Sequence, residues 1–472
     1  MENSFVLNRI ATLSLLIASL GCAHIVSVNP PSSNLVNASV YATDATAASA
    51  VSGIYSQMTA NVIGGGGRGI SALAGLSADE FSLYPSPTDE LLSLVYSNSL
   101  IKESESPIWN DLYSSIYQAN SAIEGISSST TMSSTSKQQL LGEATFVRAF
   151  CYFYLVNFFG DVPLITSASY KSNEGAARSA QAIVYRQIIT DLGKAKQLLT
   201  DNYLTPAGAM TTERKRPNRF TAQSLLARVY LYTGVYDSAE MEATTVINNG
   251  NFYQLVSDLD SVSLANNSEA IWQLEMPNNG FNTRDGSIFL LSVFGGPSAY
   301  TPFILSDSLV HQFDTVDLRR KHWIDSIAMN GIVYYFPFKY KQFYTGLPPE
   351  EYPAVFRLAE QYLIRAEARA QGGNLDGAMN DLNVIRTRAG IPAISGLNQQ
   401  DILKAINKQR RLELFTEYGH RWMDLKRSGN IDNVMSTVTP LKGGVWKTTA
   451  QLYPIPLGEI KLDANLSQNP GY

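Results

Sequence analysis

The chain has 472 residues, 45% of them apolar and only 16% charged, with a net charge of −5 at pH 7. That length suits one large domain or two to three ordinary ones around a sizeable core. The acidic balance excludes the basic footprint of a nucleic-acid binder, and two cysteines exclude a disulfide-stapled small domain.

Residues 1–21 read as a lipoprotein signal peptide. Arg9 is the basic side chain of the n-region, and an apolar run follows over 10–20. A helix needs about 20 apolar residues to cross a bilayer, so this run is an h-region and not a span. It closes on Ser19-Leu20-Gly21-Cys22. Small residues before a cysteine resemble a bacterial lipobox, in which the Cys22 thiol is acylated and becomes the new N-terminus. Ser19 stands where such boxes usually carry Leu. Residues 22–37 are small, polar and Pro-containing, as a lipidated tether is. The remainder, 38–472, reads as a single domain with no further apolar run long enough to span.

Helical periodicity then dominates. Helical repeats are expected at about 38–60, 108–250 and 353–418, separated by two non-helical excursions at about 61–107 and 251–352. Trp109, Leu112, Tyr113, Ile116 and Tyr117 line one helix face, as do Leu140, Ala144, Val147 and Cys151. Cys151, flanked by aromatics, is expected to be a buried and inert thiol. Further helices are expected at 183–199, 221–233, 235–248, 356–371, 376–388 and 401–418, and short strands at 271–274 and 332–338. Ala227, Gly234 and Ala239 recur at one constant offset as Ala366, Gly373 and Ala378. With Leu226, Tyr230 and Tyr236 they resemble a tetratricopeptide helix-turn-helix, although not in tandem at the usual period of about 34 residues.

No catalytic signature is present. Of the four histidines, His24, His311, His322 and His420, none shows the i, i+4 pairing of a zinc helix. The glycine run 64–67 lacks the Lys-Ser/Thr of a phosphate loop and reads as a flexible turn. Asp258 and Asp260 lack calcium-loop spacing and read as a solvated turn. Arg214, Lys215, Arg216 and Arg219 read as a solvated basic loop. No nucleophile and no carboxylate pair stands out, so no catalytic residue, metal or cofactor is assigned. The alternating charges of Arg410, Arg411, Glu413, Glu417, Arg421, Asp424, Lys426 and Arg427 are expected to lock the last helices together through Arg–carboxylate forks.

That same stretch, Arg410-Arg411-Leu412-Glu413-Leu414-Phe415 and Glu417-Tyr418-Gly419-His420-Arg421-Trp422-Met423-Asp424-Leu425-Lys426-Arg427, closely resembles the C-terminal signature of the SusD/RagB family of Bacteroidetes lipoproteins. Three further blocks are similar to it: Glu143-Ala144-Thr145-Phe146-Val147-Arg148-Ala149 running into Phe159-Gly160-Asp161-Val162-Pro163-Leu164, Tyr362-Leu363-Ile364-Arg365-Ala366-Glu367-Ala368 with Leu382-Asn383-Val384-Ile385-Arg386, and the terminus Leu452-Tyr453-Pro454-Ile455-Pro456 with Gln468-Asn469-Pro470-Gly471-Tyr472.

The resemblance implies a mainly α fold of four tetratricopeptide-like units beside an irregular, aromatic-rich ligand-binding half with a few short strands. It implies a non-catalytic lid that sits on the outer membrane through its lipid. Such a lid captures an oligosaccharide, or in the RagB branch a peptide, and delivers it to a SusC-like TonB-dependent barrel. The acidic residues that often follow the lipidated cysteine in surface-exposed members are replaced by Ala23-His24-Ile25-Val26, which leaves open which membrane face the anchor holds. Sugar recognition needs rings to stack on C–H faces and polar groups to meet hydroxyls. The expected ligand residues are therefore Asp79, Tyr84, Tyr96 and Asn98 in the first excursion, and Tyr300, Trp323, Tyr334, Tyr335 and Tyr340 in the second. Trp109 and Trp422, at core spacing, are expected to be buried.

Overall fold

The computed structural model describes residues 37–472 apart from 86–88, 277–281 and 345–348. The signal peptide, Cys22 and the tether up to residue 36 lie outside the described residues.

The helix-forming segments pair largely with their chain neighbours. Helix α1 (Asp44–Ala60) begins at a reciprocal cap: the Thr43 hydroxyl accepts from the Thr46 amide, and the Thr46 hydroxyl from the Thr43 amide. Helices α2 (Ile70–Ser77) and α3 (Glu90–Tyr96) follow, then α4 (Pro107–Ser128), whose first residue is the proline that position tolerates. Helix α5 (Ser134–Phe159) is buried almost all round from Leu140 onward and lies between α4 and α6 (Gln181–Leu198). Next come α7 (Arg219–Tyr232) and α8 (Tyr236–Ile247), and, after the second excursion, α11 (Leu358–Gln371) and α12 (Leu375–Arg388). Between them lie the short α9 (Arg284–Phe289) and α10 (Leu318–Trp323). Among the described residues the pairs α1–α4, α5–α6, α7–α8 and α11–α12 form one continuous stack.

The offset repeat explains part of that stack. Ala227, Leu231, Ala239 and Ala243 of the first copy share a small core with Ile364 and Ala368 of the second, so the two copies pack on each other although far apart in the chain. Small residues let the helix axes approach. Gly234 (φ 73°) and Gly373 (φ 85°) take left-handed turns that other residues adopt only at a cost. Buried guanidinium–carboxylate forks pin the layers: Arg148 to Asp191 at 2.7 Å, Arg228 to Glu360 at 2.6 Å, and Arg365 to Asp381 at 2.6 Å. Trp109, Trp422 and Cys151 are buried as expected, and burial holds the Cys151 thiol protonated by raising its pKa.

Four expectations need correction. The 61–107 excursion contains α2 and α3 and the 251–352 excursion α9 and α10, so neither is non-helical. Every residue of α2 is buried, which erases the amphipathic signal by which helices are read. The helix expected to run to residue 418 stops earlier, as α13 (Gln399–Leu414). A loop with Thr416 (φ 59°) and Tyr418 (φ 45°) precedes α14 (His420–Arg427), and α15 (Ile431–Leu441) follows. The glycine run is not a flexible turn. Its Gly66 amide donates to Asp285 at 2.8 Å, and a Cβ on Gly64 would lie 1.8 Å from the Thr59 carbonyl oxygen. The basic cluster is not a solvated loop either: Arg216 is buried against Glu143 at 2.9 Å, and Arg214 donates to the carbonyls of Ala270 and Phe252.

The strands form only two-stranded sheets among the described residues. Strand β1 (Phe81–Leu83) pairs antiparallel with β3 (Phe303–Leu305), which joins the two excursions. Strand β2 (Ala270–Gln273) pairs with β6 (Ala354–Arg357) beside the helical stack, and β4 (Ile324–Met329) forms a hairpin with β5 (Ile332–Pro337). The strands expected at 271–274 and 332–338 are thus present within a residue at each end.

Candidate functional site

The β1–β3 pair sets the geometry of the candidate ligand face. Leu83 lies opposite Phe303, and the Tyr84 amide continues the ladder by donating to the Pro302 carbonyl at 2.8 Å. Strand β3 packs in turn on β5, so the first excursion, the loop before β3 and the hairpin share one layer. Tyr84 therefore meets Tyr334 edge-on, with centroids 6.2 Å apart, an arrangement that aromatic quadrupoles favour. Tyr300, in the loop just before β3, is 80% exposed.

Beneath Tyr334 lies a small core of Leu290, Leu291, Phe336 and Phe343, and from it two further rings emerge. Phe294 stands edge-on to Phe343 at 5.4 Å, and Tyr344 at 4.4 Å from the same ring. Phe294 is 49% exposed and Tyr344 63%. Ile332 and Val333, at the hairpin turn, are also exposed, and Gly296 approaches the hairpin closely enough that a Cβ there would meet the Met329 sulfur at 2.7 Å. Exposed apolar residues concentrated in one region of a surface mark an interaction site. Phe294 and Tyr344 were not among the expected ligand residues. The signal that singles out Phe294 is an aromatic set directly before a glycine turn, Gly295-Gly296, which projects a ring without a strand to bury it.

The structure separates the expected residues into two groups. Tyr84 and Tyr334 meet on this face, and Tyr300 stands exposed in the adjoining loop. Tyr335, the next residue along β5, is covered by the Arg320 guanidinium, 4.8 Å from its centroid. Half-buried Tyr340 borders a small interior cavity of about 30 Å³ with Asp285 and Tyr418, and burial raises its hydroxyl pKa.

Four others have side chains engaged within the fold. Trp323 is 0% exposed, and its indole donates to the Leu259 carbonyl at 2.8 Å. Asp79 is buried between Arg411 (2.8 Å) and Arg421 (2.7 Å). Burial would raise its carboxyl, but the two guanidiniums outweigh that and hold it at about 2. Asn98 donates to the Ser77 carbonyl at 3.0 Å and accepts from Thr439 at 2.8 Å, and the Tyr96 ring lies 5.1 Å from Lys442 Nζ. Both thus serve the contact with α15.

The face rests on a charged hub. The loop between α13 and α14 is gripped from several elements at once. Lys339 donates to the carbonyls of Glu413 (2.8 Å) and Phe415 (3.0 Å) and pairs with Glu417. Arg357 pairs with Glu269, Glu413 and Glu417. Burial brings Lys339 down to about 8 despite Glu417 beside it. On the other side the Tyr418 amide donates to Ser71 at 3.0 Å, and the Thr416 amide points at the Glu80 carboxylate. The left-handed strain at Thr416 and Tyr418 is sustained by these bonds. The alternating charges of the C-terminal stretch therefore do lock the last helices, through Arg410 and Arg427 on Asp424 and Arg427 on Glu367.

Among the described residues no catalytic arrangement emerges on the face. Asp258, Asp260 and His322 bring ligand atoms within 4.8 Å of one another. They are already engaged: Asp258 caps its own 3-10 turn, and Asp260 takes Lys341 at 2.8 Å and His322 at 2.9 Å. Burial would raise the Asp260 carboxyl, but Lys341 and His322 bring it below its ordinary value.

Comparison with known proteins adds the family context. A family profile described as starch-binding and associating with the outer membrane matches residues 90–231, and one described as the SusD family matches 329–472. The SusD-like protein P25 of Formosa agariphila is 25% identical over 441 residues, covering 79% of this chain and 81% of that protein. Among solved structures, a SusD superfamily protein from Parabacteroides distasonis superposes with a TM-score of 0.78 at 24% identity, covering 90% of this chain and 99% of that one. A laminarin-binding SusD-like protein superposes with a TM-score of 0.75 at 24% identity and the same coverage.

Proposed function

We propose, from the premise that the chain belongs to the SusD/RagB family, that it captures oligosaccharide on the aromatic face and delivers it to a SusC-like TonB-dependent barrel in the outer membrane. Proteins of this family bind and do not catalyse. The observation that carries the reading is the meeting of Tyr84 and Tyr334 from the two excursions, with Tyr300 exposed in the adjoining loop and Phe294 and Tyr344 beside them. Rings held at fixed angles offer flat apolar surface to sugar C–H faces at little entropic cost. The starch-binding description of the matched profile and the laminarin named for one structural relative point the same way. Tyr335 and Tyr340 are kept as outlying members of the face.

Residues 1–21 act as the signal peptide, and Cys22 carries the lipid at the head of a tether over 22–37. Among the described residues no helix is long and apolar enough to cross a membrane, so the anchor supplies the attachment. A tethered lid swings over its barrel without leaving it. The helical stack serves as the platform that meets the transporter.

Titration of the full-length chain against a polysaccharide panel that includes starch and laminarin, with a peptide mixture alongside, tests the reading. Glycan binding that falls by about tenfold in Tyr300→Ala is expected. Binding to peptides and to no glycan overturns the sugar assignment. A Cys22→Ala chain that stays with the membrane in cells lacking the barrel overturns the anchor.

A further inference from the structure

A second cavity lies between α13, α14 and α15, walled chiefly by charged and polar side chains and by no aromatic ring. Asn407, Arg411, Arg421, Asp424, Ser428 and Asn430, with the apolar Leu425 and Val434, line about 160 Å³ that opens to solvent at Ser428 and Asn430. A water molecule's share of liquid is about 30 Å³, so the space holds about five waters, or a small tetrahedral anion with part of its hydration.

Behind its wall the charges are largely paired, with Arg427 also on Glu367. Asp79 is shared by Arg411 and Arg421, and Asp424 by Arg410 and Arg427. On the wall itself two guanidiniums face one carboxylate. Arg411 Nη2 donates to Asp79 and to Ser308 Oγ at 3.0 Å, but its Nε is buried with no acceptor among the protein atoms. A buried donor left unpaired is costly, and more so when it carries charge. The rest of the lining adds the amides of Asn407 and Asn430 and the Ser428 hydroxyl, with Asn430 Nδ2 already turned toward Ser428 at 3.3 Å.

We propose that this cavity binds a single oxyanion, a sulfate, phosphate or carboxylate group, with Arg411 and Arg421 as its charged ligands and Asn407, Ser428 and Asn430 as neutral donors. Sulfate and carboxylate only accept hydrogen bonds, and phosphate chiefly accepts them, which matches a wall rich in donors. Planar guanidinium forks suit its geometry. A neutral sugar finds no ring here to stack on, which sets the site apart from the aromatic face. The anion comes either free from solution or carried on an acidic or sulfated glycan.

Calorimetric titration of the full-length chain in detergent, at ionic strength held constant with chloride, tests the site. The probes are inorganic sulfate, inorganic phosphate, glucuronate and a monosulfated glucose, with glucose as the control. Saturable binding of at least one oxyanion is expected, weakened by about tenfold in Asn407→Leu and Asn430→Leu, each of which removes an amide donor without breaking an ion pair. Tyr300→Ala leaves that binding unchanged, and Asp79→Asn, which releases both guanidiniums, tightens it. Tighter binding of the monosulfated sugar or glucuronate than of the inorganic ions identifies a glycan-borne group, and equal or weaker binding a free ion. Absence of saturable binding by every probe overturns the proposal. So does binding that chloride competes away equally, or that Asn407→Leu and Asn430→Leu, shown folded by their melting curves, leave intact.

Discussion

Asp79→Asn separates a ligand residue from a structural one. The Asp79 carboxylate receives Arg421 at 2.7 and 2.9 Å and Arg411 at 2.8 Å, in a buried setting. Burial pushes its pKa up, and Arg411 and Arg421 pull it down further, to about 2 from an ordinary 3.8. At about 1.4 kcal/mol per pH unit, that depression is worth about 2 kcal/mol of stability. The neutral amide also leaves two guanidiniums facing each other without their counter-charge, which brings the expected loss to about 3 kcal/mol at pH 7. Because the folded-state pKa is depressed, the contribution is full above about pH 4 and disappears as pH falls toward 2. Urea unfolding at pH 7 and at pH 3 reads both parts. The variant should lose about 3 kcal/mol at pH 7 and markedly less at pH 3, with affinity for neutral glycan unchanged. A loss below about 0.5 kcal/mol together with weakened glycan binding would refute the reasoning and return Asp79 to the ligand face.

Three further outcomes follow from the same geometry. Burial lifts the Asp285 carboxyl to about 7 against the bond from the Gly66 amide, so its contribution is present below about pH 4 and lost as pH rises through 7. Asp285→Asn should therefore raise the urea midpoint at pH 8 relative to the parent and flatten the decline between pH 5 and 8; an unchanged profile contradicts it. Gly65→Ala places a Cβ 2.2 Å from the Asp285 carboxylate at φ 93°, and should cost about 3 kcal/mol in thermal or urea melts, whereas a cost under about 1 kcal/mol means that the turn relaxes freely. Tyr334→Ala removes the partner of Tyr84 and about 1 kcal/mol of aromatic contact, and should weaken glycan binding more than it lowers the melting temperature.

Much of the helical stack was legible because amphipathic helices carry their period in the sequence. Ala227, Gly234 and Ala239 announced a helix-turn-helix that the structure contains, down to the left-handed glycine. Where tertiary burial surrounds an element, the period vanishes: α2 is apolar on all sides and reads as nothing in particular. The break after Leu414 was hidden for a different reason. The helical pattern continues through Phe415 and Tyr418, and only bonds from Lys339, Ser71 and Glu80, distant in the chain, force the turn. The candidate face was legible as a region and not residue by residue. Tyr84 and Trp323 look alike in a sequence, and what distinguishes them is whether a remote carbonyl, such as Leu259, claims the ring. The glycine turn after Phe294 marks that ring, but Tyr344 carries no such mark in the sequence, because exposure depends on what packs behind a ring.

The joining of Asp79 to Arg421, and of β1 to β3, also bears on how the chain reaches its fold. Phe81 finds its strand partner at Leu305, and Asp79 its counter-charges only at Arg411 and Arg421. Contacts between residues so far apart in sequence carry a large loop-closure entropy and form slowly. The N-terminal third therefore holds a buried carboxylate with no partner until the last quarter of the chain is available. A chain that ends before Arg411 can still pair β1 with β3 but leaves that carboxylate without its counter-charges, so the last hundred residues act as the closing step of assembly for the whole molecule.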